Sequence, residues 1–266
     1  MTMLETIFLG MIQGLTEFLP ISSSGHLVFF QNLLGFKEPE ILLDSSLHLG
    51  TLLAVCLYFR NDIVNIIKEV EDQDFKGPHA SMAFGVLLGT IPTGLMGLTL
   101  KEPFERFYSS VPMVGLMLIV TGIILMVPWI VNKEKNQEDK RAHNPIRDSL
   151  WVPLVIGIVQ GFAIIPGISR AGITIACGLV CGLNRDLAGR FSFLLSIPMI
   201  VGWNFLNLRE QVTLTVGLAD LFVGFVTAAL VGLLALKLLM GILKRGHLHY
   251  FAPYCVVIGL LVMVLV

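Results

Sequence analysis

Charge is what this chain has least of. Only 14% of its 266 residues are Asp, Glu, Lys or Arg, where a soluble domain carries about a quarter. That excludes an ordinary soluble globular protein. With 55% hydrophobic residues and a mean hydropathy of +0.81, the composition is that of one integral membrane domain over 1–266. Positive charge is missing altogether before Lys37, so the start of the chain is not expected to be a cleavable signal peptide. There is no basic patch interleaved with aromatics, which excludes nucleic acid as a partner. Cysteine is scarce too. Cys56, Cys177, Cys181 and Cys255 lie in apolar runs without metal or redox spacing, and read as packing residues.

What is there is long apolar sequence. A spanning helix needs about 20 mostly apolar residues. Six segments qualify: 41–59, 80–100, 111–131, 191–208, 216–240 and 250–266. Asp44 and His48 interrupt the first, and Asp220 lies near one end of the fifth. Two more apolar stretches, 3–36 and 150–183, are 34 residues each. As straight helices they would run about 50 Å, beyond a hydrocarbon core of about 30 Å. Proline, glycine and serine break each in its middle. The economical reading is a re-entrant hairpin that turns at mid-depth; the alternative is a pair of tilted continuous helices.

The two broken stretches resemble each other. Gly10-x-x-Gln13-Gly14 recurs as Gly157-x-x-Gln160-Gly161, and Pro20-x-Ser22 recurs with one insertion as Pro166-x-x-Ser169. Each is followed by three spans. The expected fold is therefore all-α and polytopic, with six transmembrane helices and two re-entrant hairpins. Its halves, about 1–131 and 150–266, are joined by the loop 132–149. An odd number of spans per half turns the second copy upside down, the inverted-repeat plan of many transport folds. On this topology twelve Lys and Arg, from Arg60 to Arg245, fall on one side, against Lys37, Lys101, Arg106 and Arg209 on the other. The positive-inside rule makes the richer side cytoplasmic. Both termini and the first hairpin then open outward, and 60–79 and 132–149 are solvated cytoplasmic connectors. The glycines of 85–97 can pack helices within one chain or between two, which leaves a homodimer open.

The polar residues gather in the broken stretches. From Met3 to Phe36 the only ionisable side chains are Glu5, Glu17 and His26, yet Gln13–His26 reads QGLTEFLPISSSGH. Polar, broken backbone inside lipid is tolerated only where it lines a buried or watery cavity. Gln13 and Glu17, at i and i+4, share a helical face, and two oxygen-bearing groups there can hold a hard divalent cation, Mg2+ or Ca2+, with water and phosphate oxygens. Glu17 alone could instead carry a proton or cap the serine loop. His26, just past Ser22, Ser23 and Ser24, could attack phosphorus or serve a serine or water as acid or base. In the second stretch, PGISRAGIT at 166–174, Arg170 is the only formal charge between Asp148 and Arg185. A guanidinium at membrane depth needs an anion, and suits phosphate and carboxylate. Ser169 and Thr174 add hydroxyls, and a helix starting there aims N–H groups at the same point. The bland reading is an ion pair between Arg170 and Glu17. Arginine, hydroxyls, a cation and a nucleophile inside a bilayer together suggest phosphoryl transfer on a lipid-linked phosphate.

QGLTEFLPISSSGH at 13–26, PGISRAGIT at 166–174, LGTLLAV at 49–55 and FSFLLSIP at 191–198 resemble the undecaprenyl pyrophosphate phosphatases, also known as bacitracin-resistance proteins. The resemblance covers essentially the whole chain. It implies hydrolysis of a polyprenyl pyrophosphate lipid, undecaprenyl pyrophosphate, to undecaprenyl phosphate and inorganic phosphate. That activity recycles the carrier of cell-wall polymers in the plasma membrane, with a site on the outer side and a divalent-cation requirement. By position it implies Gln13 and Glu17 as the paired acidic/amide site. Ser23 and His26 come near phosphorus, with Ser169, Arg170 and Thr174 as the phosphate motif; Ser22 is a further phosphate-binding candidate. Two departures stand out. Ala171 replaces the usual serine after the arginine, and Arg190 stands where glutamate is common. Rival readings are a lipid-carrier flippase, alone or combined with hydrolysis, and an ion-coupled carrier gated by Glu17 and Arg170.

Overall fold

The computed structural model describes residues 2–36, 40–75, 77–100, 110–131, 145–207 and 216–265. The first apolar stretch forms α1 (Met3–Phe18) and α2 (Ser23–Leu33). Thr2 and Glu5 close a capping box on α1: Glu5 N donates to Thr2 Oγ1 at 3.3 Å and Thr2 N to Glu5 Oε2 at 2.7 Å. Pro20 and an N-cap Ser22 with φ 69° separate the two helices. The second stretch forms α7 (Trp151–Gly161), a 3-10 turn (Phe162–Ile164) and α8 (Arg170–Val180). Gly167, at φ 95°, makes the turn between them in a backbone region that L side chains avoid. Both broken helix pairs expected from Pro, Gly and Ser are therefore present.

Between and after them run α3 (Ile41–Tyr58), α5 (Pro78–Thr99), α6 (Val111–Val131), α9 (Arg185–Asn207) and α10 (Leu218–Lys244). These five are long and apolar enough to cross a bilayer, which makes the protein an all-helical, multi-pass membrane protein. The sixth expected span is shorter than anticipated. Residues 248–251 form a 3-10 turn, and α11 (Ala252–Leu265) has 14 residues, about 21 Å at 1.5 Å each. The expected span 191–208 begins earlier, at Arg185. Asn184 Oδ1 accepts from Leu187 N at 2.9 Å, and the Arg190–Asp186 pair at i, i+4 supports this polar first turn.

A second difference concerns residues 60–79, expected as a solvated connector. Here α4 (Arg60–Glu71) follows α3 directly, and packs Ile63 and Ile66 against the core. Its Glu69 Oε2 accepts from the backbone N–H groups of His79 and Ala80 at 2.9 and 2.7 Å, satisfying the open N-terminus of α5. Arg190 Nη1 reaches Asp62 Oδ1 at 2.7 Å, tying α9 to α4. Most of the expected connector 132–149, and with it Lys133–Arg141, lies outside the described residues, as do Lys37, Lys76, Lys101, Arg106, Arg209 and Val266.

Small residues set the helix spacing. Gly10 and Gly14 of α1 lie against Gly224, Ala228 and Gly232 of α10, Gly157 of α7 against Gly89 of α5, and Gly115 of α6 against Gly259 of α11. A Cβ on Gly14 would stand 2.9 Å from the Ala228 carbonyl oxygen. Backbones this close gain dispersion contacts where lipid offers no hydrophobic drive. Gly85 and Gly89 pack inside the chain, whereas Gly94 has no neighbour within 4 Å. The main core, with Phe18 and Phe193 at 5.7 Å and Phe59 and Phe193 at 6.1 Å between ring centroids, sits beneath the point where the two broken helix pairs meet.

Candidate active site

The C-terminal end of α1 meets the N-terminus of α8 through one ion pair. Arg170 Nη2 donates to Glu17 Oε1 at 2.7 Å, and each residue is only 7% exposed. The second oxygen, Oε2, accepts from Ser23 Oγ at 2.7 Å and from Gln13 Nε2 at 3.2 Å. A buried carboxylate is thus paired and hydrogen-bonded, as burial requires. Arg170 also donates Nη1 to the Ser192 carbonyl at 3.4 Å and lies over the Phe193 ring at 5.6 Å. Its Nε is buried with no hydrogen-bond partner among the described residues. The guanidinium fork therefore keeps donor capacity unspent.

Ser169 caps α8: its Oγ accepts from Gly172 N at 3.1 Å. The turn before it is held from α6. Thr121 Oγ1 donates to the Gly167 carbonyl at 2.8 Å and accepts from Ser169 N at 3.0 Å. Ala171, where a serine is usual, is buried at 1% exposure and packs in the main core.

A cavity of about 120 Å³ opens on this pair. Part of its lining is polar: Glu17, Ser23, Ser24, Ser169, Arg170, Asp44 and His48. Thr16 adds a further hydroxyl, and Leu27, Val28, Ala163, Ile164, Ile168, Met199, Ile200 and Trp203 supply apolar surface. Among the expected site residues, Glu17, Ser23, Ser169 and Arg170 line it. Four others do not. Gln13 is fully buried behind Glu17. The Ser22 hydroxyl caps α2 by accepting from Gly25 N at 3.3 Å. Thr174 Oγ1 is committed to the Arg170 carbonyl at 2.7 Å and to Ser192 Oγ at 2.6 Å. His26 is 4% exposed; Nδ1 lies 2.8 Å from the Ser22 carbonyl oxygen, and Nε2 lies 2.9 Å from the Tyr254 hydroxyl, with the two rings stacked at 5.9 Å. The carbonyl can only accept, so Nδ1 carries the hydrogen and neither ring nitrogen is free.

From the sequence, Asp44 and His48 of α3 stand out only as interruptions of a span, and Trp203 of α9 does not stand out at all. The signal was present, because Asp44 and His48 stand at i and i+4 in an apolar span, the same pattern that singled out Gln13 and Glu17. Gln31 Nε2 donates to Asp44 Oδ1 at 2.7 Å, His48 Nδ1 lies 2.7 Å from the Asp44 carbonyl oxygen, and His48 Nε2 comes within 3.9 Å of Glu17 Oε2.

The donor set limits how a divalent cation could be held. Gln13 turns its amide NH2 toward Glu17 and leaves its Oε1 buried without a partner. Among the described residues no three His, Cys, Asp or Glu side chains come together as a ligand cluster. Glu17 and Gln13 thus fit a cation only in the manner of Mg2+ sites that use one or two protein oxygens and take the rest from substrate phosphates and water.

A family model described as bacitracin resistance protein BacA matches residues 6–261. A protein of Halothermothrix orenii named undecaprenyl-diphosphatase is 43% identical over 271 residues, covering 100% of this chain and 98% of its own. Like-named proteins of Carboxydothermus hydrogenoformans and Methanosphaera stadtmanae are each 40% identical, covering 100% and 98% of this chain and 98% and 97% of theirs. A match that takes in both broken helix pairs, the carboxylate–guanidinium pair between them and all five long spans makes this protein a member of the bacitracin resistance protein BacA family.

Proposed function

We propose that this protein is a phosphatase that hydrolyses undecaprenyl pyrophosphate to undecaprenyl phosphate and inorganic phosphate. The observation that carries the reading is the Glu17–Arg170 pair at 2.7 Å, flanked by Ser23 and Ser169 in a cavity lined by both polar and apolar side chains. An anionic pyrophosphate competes with Glu17 for the guanidinium, and the apolar lining residues take the first isoprenoid carbons. Arg170 and Ser169 hold phosphate oxygens and stabilise the charge that develops on them. Glu17, freed from Arg170, still accepts from Ser23. An oxygen of Ser23 or of water then bonds to the terminal phosphorus, and the bond from that phosphorus to the bridging oxygen breaks. Undecaprenyl phosphate leaves with the bridging oxygen; if Ser23 attacked, water next cleaves the phosphoserine. Gln13 orients Glu17 from behind, while Ser22, His26 and Thr174 shape the two turns that present Ser23 and Arg170. Glu17, oriented by Gln13, would hold a divalent cation together with the phosphates, and that cation would supply charge neutralisation. The activity returns the lipid carrier to cell-wall synthesis and confers bacitracin resistance.

The finer architecture belongs to the same reading. The helix pairs α1–α2 and α7–α8 are re-entrant, α11 is the sixth span, and the halves form an inverted repeat. Supporting this, α1 packs on α10 through glycines as α7 packs on α5, the exchange an inverted repeat requires. The charge bias along the sequence puts the cavity on the outer face of the plasma membrane with both termini outside. The open face of α5 near Gly94 is the one a homodimer would use. Nothing at the site favours a flippase, for which the Ser23–Glu17 contact is superfluous.

The test is phosphate release from undecaprenyl pyrophosphate by purified protein in detergent, with and without Mg2+ or Ca2+, and with Arg170→Ala as control. Cation-dependent release lost in the variant is the expected result. No release from folded wild-type protein, or full release by Arg170→Ala, refutes the reading.

A further inference from the structure

Two imidazoles lie near the first turn, and the structure treats them differently. His26, the one the sequence points to, has both ring nitrogens engaged and lies outside the cavity. His48 lines the cavity. Its Nδ1 is 2.7 Å from the Asp44 carbonyl oxygen, an acceptor only, so that nitrogen carries its hydrogen. The ring lies against Trp203 at 4.9 Å between centroids, and Gln31 fixes the Asp44 carboxylate at 2.7 Å. Two helices, α3 through the Asp44 carbonyl and α9 through Trp203, thus hold one imidazole in one orientation. Its Nε2 points to Glu17 Oε2 at 3.9 Å, too far for a hydrogen bond. A histidine kept for packing satisfies both nitrogens, as His26 does; His48 satisfies one and turns the other toward Glu17.

We infer that His48, rather than His26, is the imidazole that contacts the water attacking the bound pyrophosphate, accepting its hydrogen through Nε2. Trp203 and the backbone carbonyl of Asp44 fix the ring. This deepens the phosphatase reading and rests on it. In that tautomer Nε2 is an acceptor, and together with the Glu17 carboxylate it accepts from a water placed between them. The contact is a hydrogen bond, so an amide that reaches the same point replaces it.

The experiment compares wild type, His48→Ala and His48→Gln as full-length protein in detergent, by phosphate release and by thermal unfolding. His48→Ala is expected to lose about two- to tenfold in kcat/KM, the value of one hydrogen bond to a neutral water. His48→Gln, whose Oε1 reaches nearly as far and accepts in the same way, recovers most of it. Wild-type turnover in His48→Ala, or no recovery in a folded His48→Gln, overturns the inference. A second measurement is independent of the variants. Diethyl pyrocarbonate acylates accessible imidazole nitrogens, and mass spectrometry locates them. His48 is expected to be acylated and farnesyl pyrophosphate to protect it, while His26 is not acylated. Acylation of His48 unaffected by that probe overturns the contact, as does acylation of His26 protected in its place. If wild type releases no phosphate, the functional reading fails, and the protection result alone decides the contact.

Discussion

Replacing Glu17 with Gln removes one negative charge and almost no volume. Arg170, at 7% exposure, then loses the carboxylate 2.7 Å away. Leaving one member of a buried pair unpartnered costs about 3–5 kcal/mol. Here the guanidinium keeps the Ser192 carbonyl at 3.4 Å and the Phe193 face at 5.6 Å, and a desolvated cation–π contact contributes about 2 kcal/mol in either state. The low end, about 3 kcal/mol, is therefore expected. Arg170→Met, by contrast, leaves Glu17 with Ser23 and Gln13 still donating to Oε2. The double variant Glu17→Gln/Arg170→Met has no buried charge at the junction and is expected to be more stable than Glu17→Gln by about 1–3 kcal/mol, yet inactive. The assay is denaturant unfolding of the four proteins in one detergent, read beside phosphate release. Two results refute the reasoning: Glu17→Gln within about 1 kcal/mol of wild type, or a double variant whose losses simply add.

Three further outcomes follow from the packing. Ser169→Ala removes the cap on Gly172 N and is expected to cost about 1 kcal/mol, with a rise in KM because a cavity hydroxyl goes with it; unfolding and kinetics on one preparation check both. Gly50→Ala drives a Cβ into the Phe225 carbonyl of α10, whereas Gly94→Ala meets nothing within 4 Å, so the first loses about 1–3 kcal/mol of stability and the second holds or gains up to about 1 kcal/mol. Thermal unfolding of the pair decides whether α3 lies that close to α10. Burial raises the pKa of Glu69, but hydrogen bonds from the Ala80 and His79 N–H groups and from the His79 ring outweigh it, and hold the carboxyl below its ordinary 4.5. A lowered carboxyl stabilises above its unfolded pKa and ceases to as pH falls through its folded pKa. The stability difference between wild type and Glu69→Gln is therefore constant above about pH 5.5 and closes below 4.5; a difference that widens in acid contradicts the cap.

Much of this protein is legible one residue at a time. Low charge and long apolar runs determine a membrane protein, because lipid permits few alternatives to helices. Pro20, Gly167 and the serines determine where two of those helices break, because they act on the local backbone. Glu17 and Arg170 declare themselves because an ion buried in apolar sequence must find a partner, and each is the other's. Helix length at the edges was less legible. Asn184 starts α9 early and Glu69 caps α5 through side-chain contacts, and α4 rests on apolar residues that composition averages into a connector.

The tertiary structure alone decided which polar groups face the cavity. Ser22, Ser23 and Ser24 are equivalent in sequence, but capping and hydrogen bonding turn the first hydroxyl into the backbone and the second onto Glu17. His26 and His48 are both histidines in apolar helices. Only the arrival of Tyr254, 228 residues along the chain, occupies the one, and only the meeting of α3 with α9 aims the other. Type and spacing along the chain determine what chemistry is present. Which atoms remain unspent depends on partners distant in sequence, and that is settled when the helices pack.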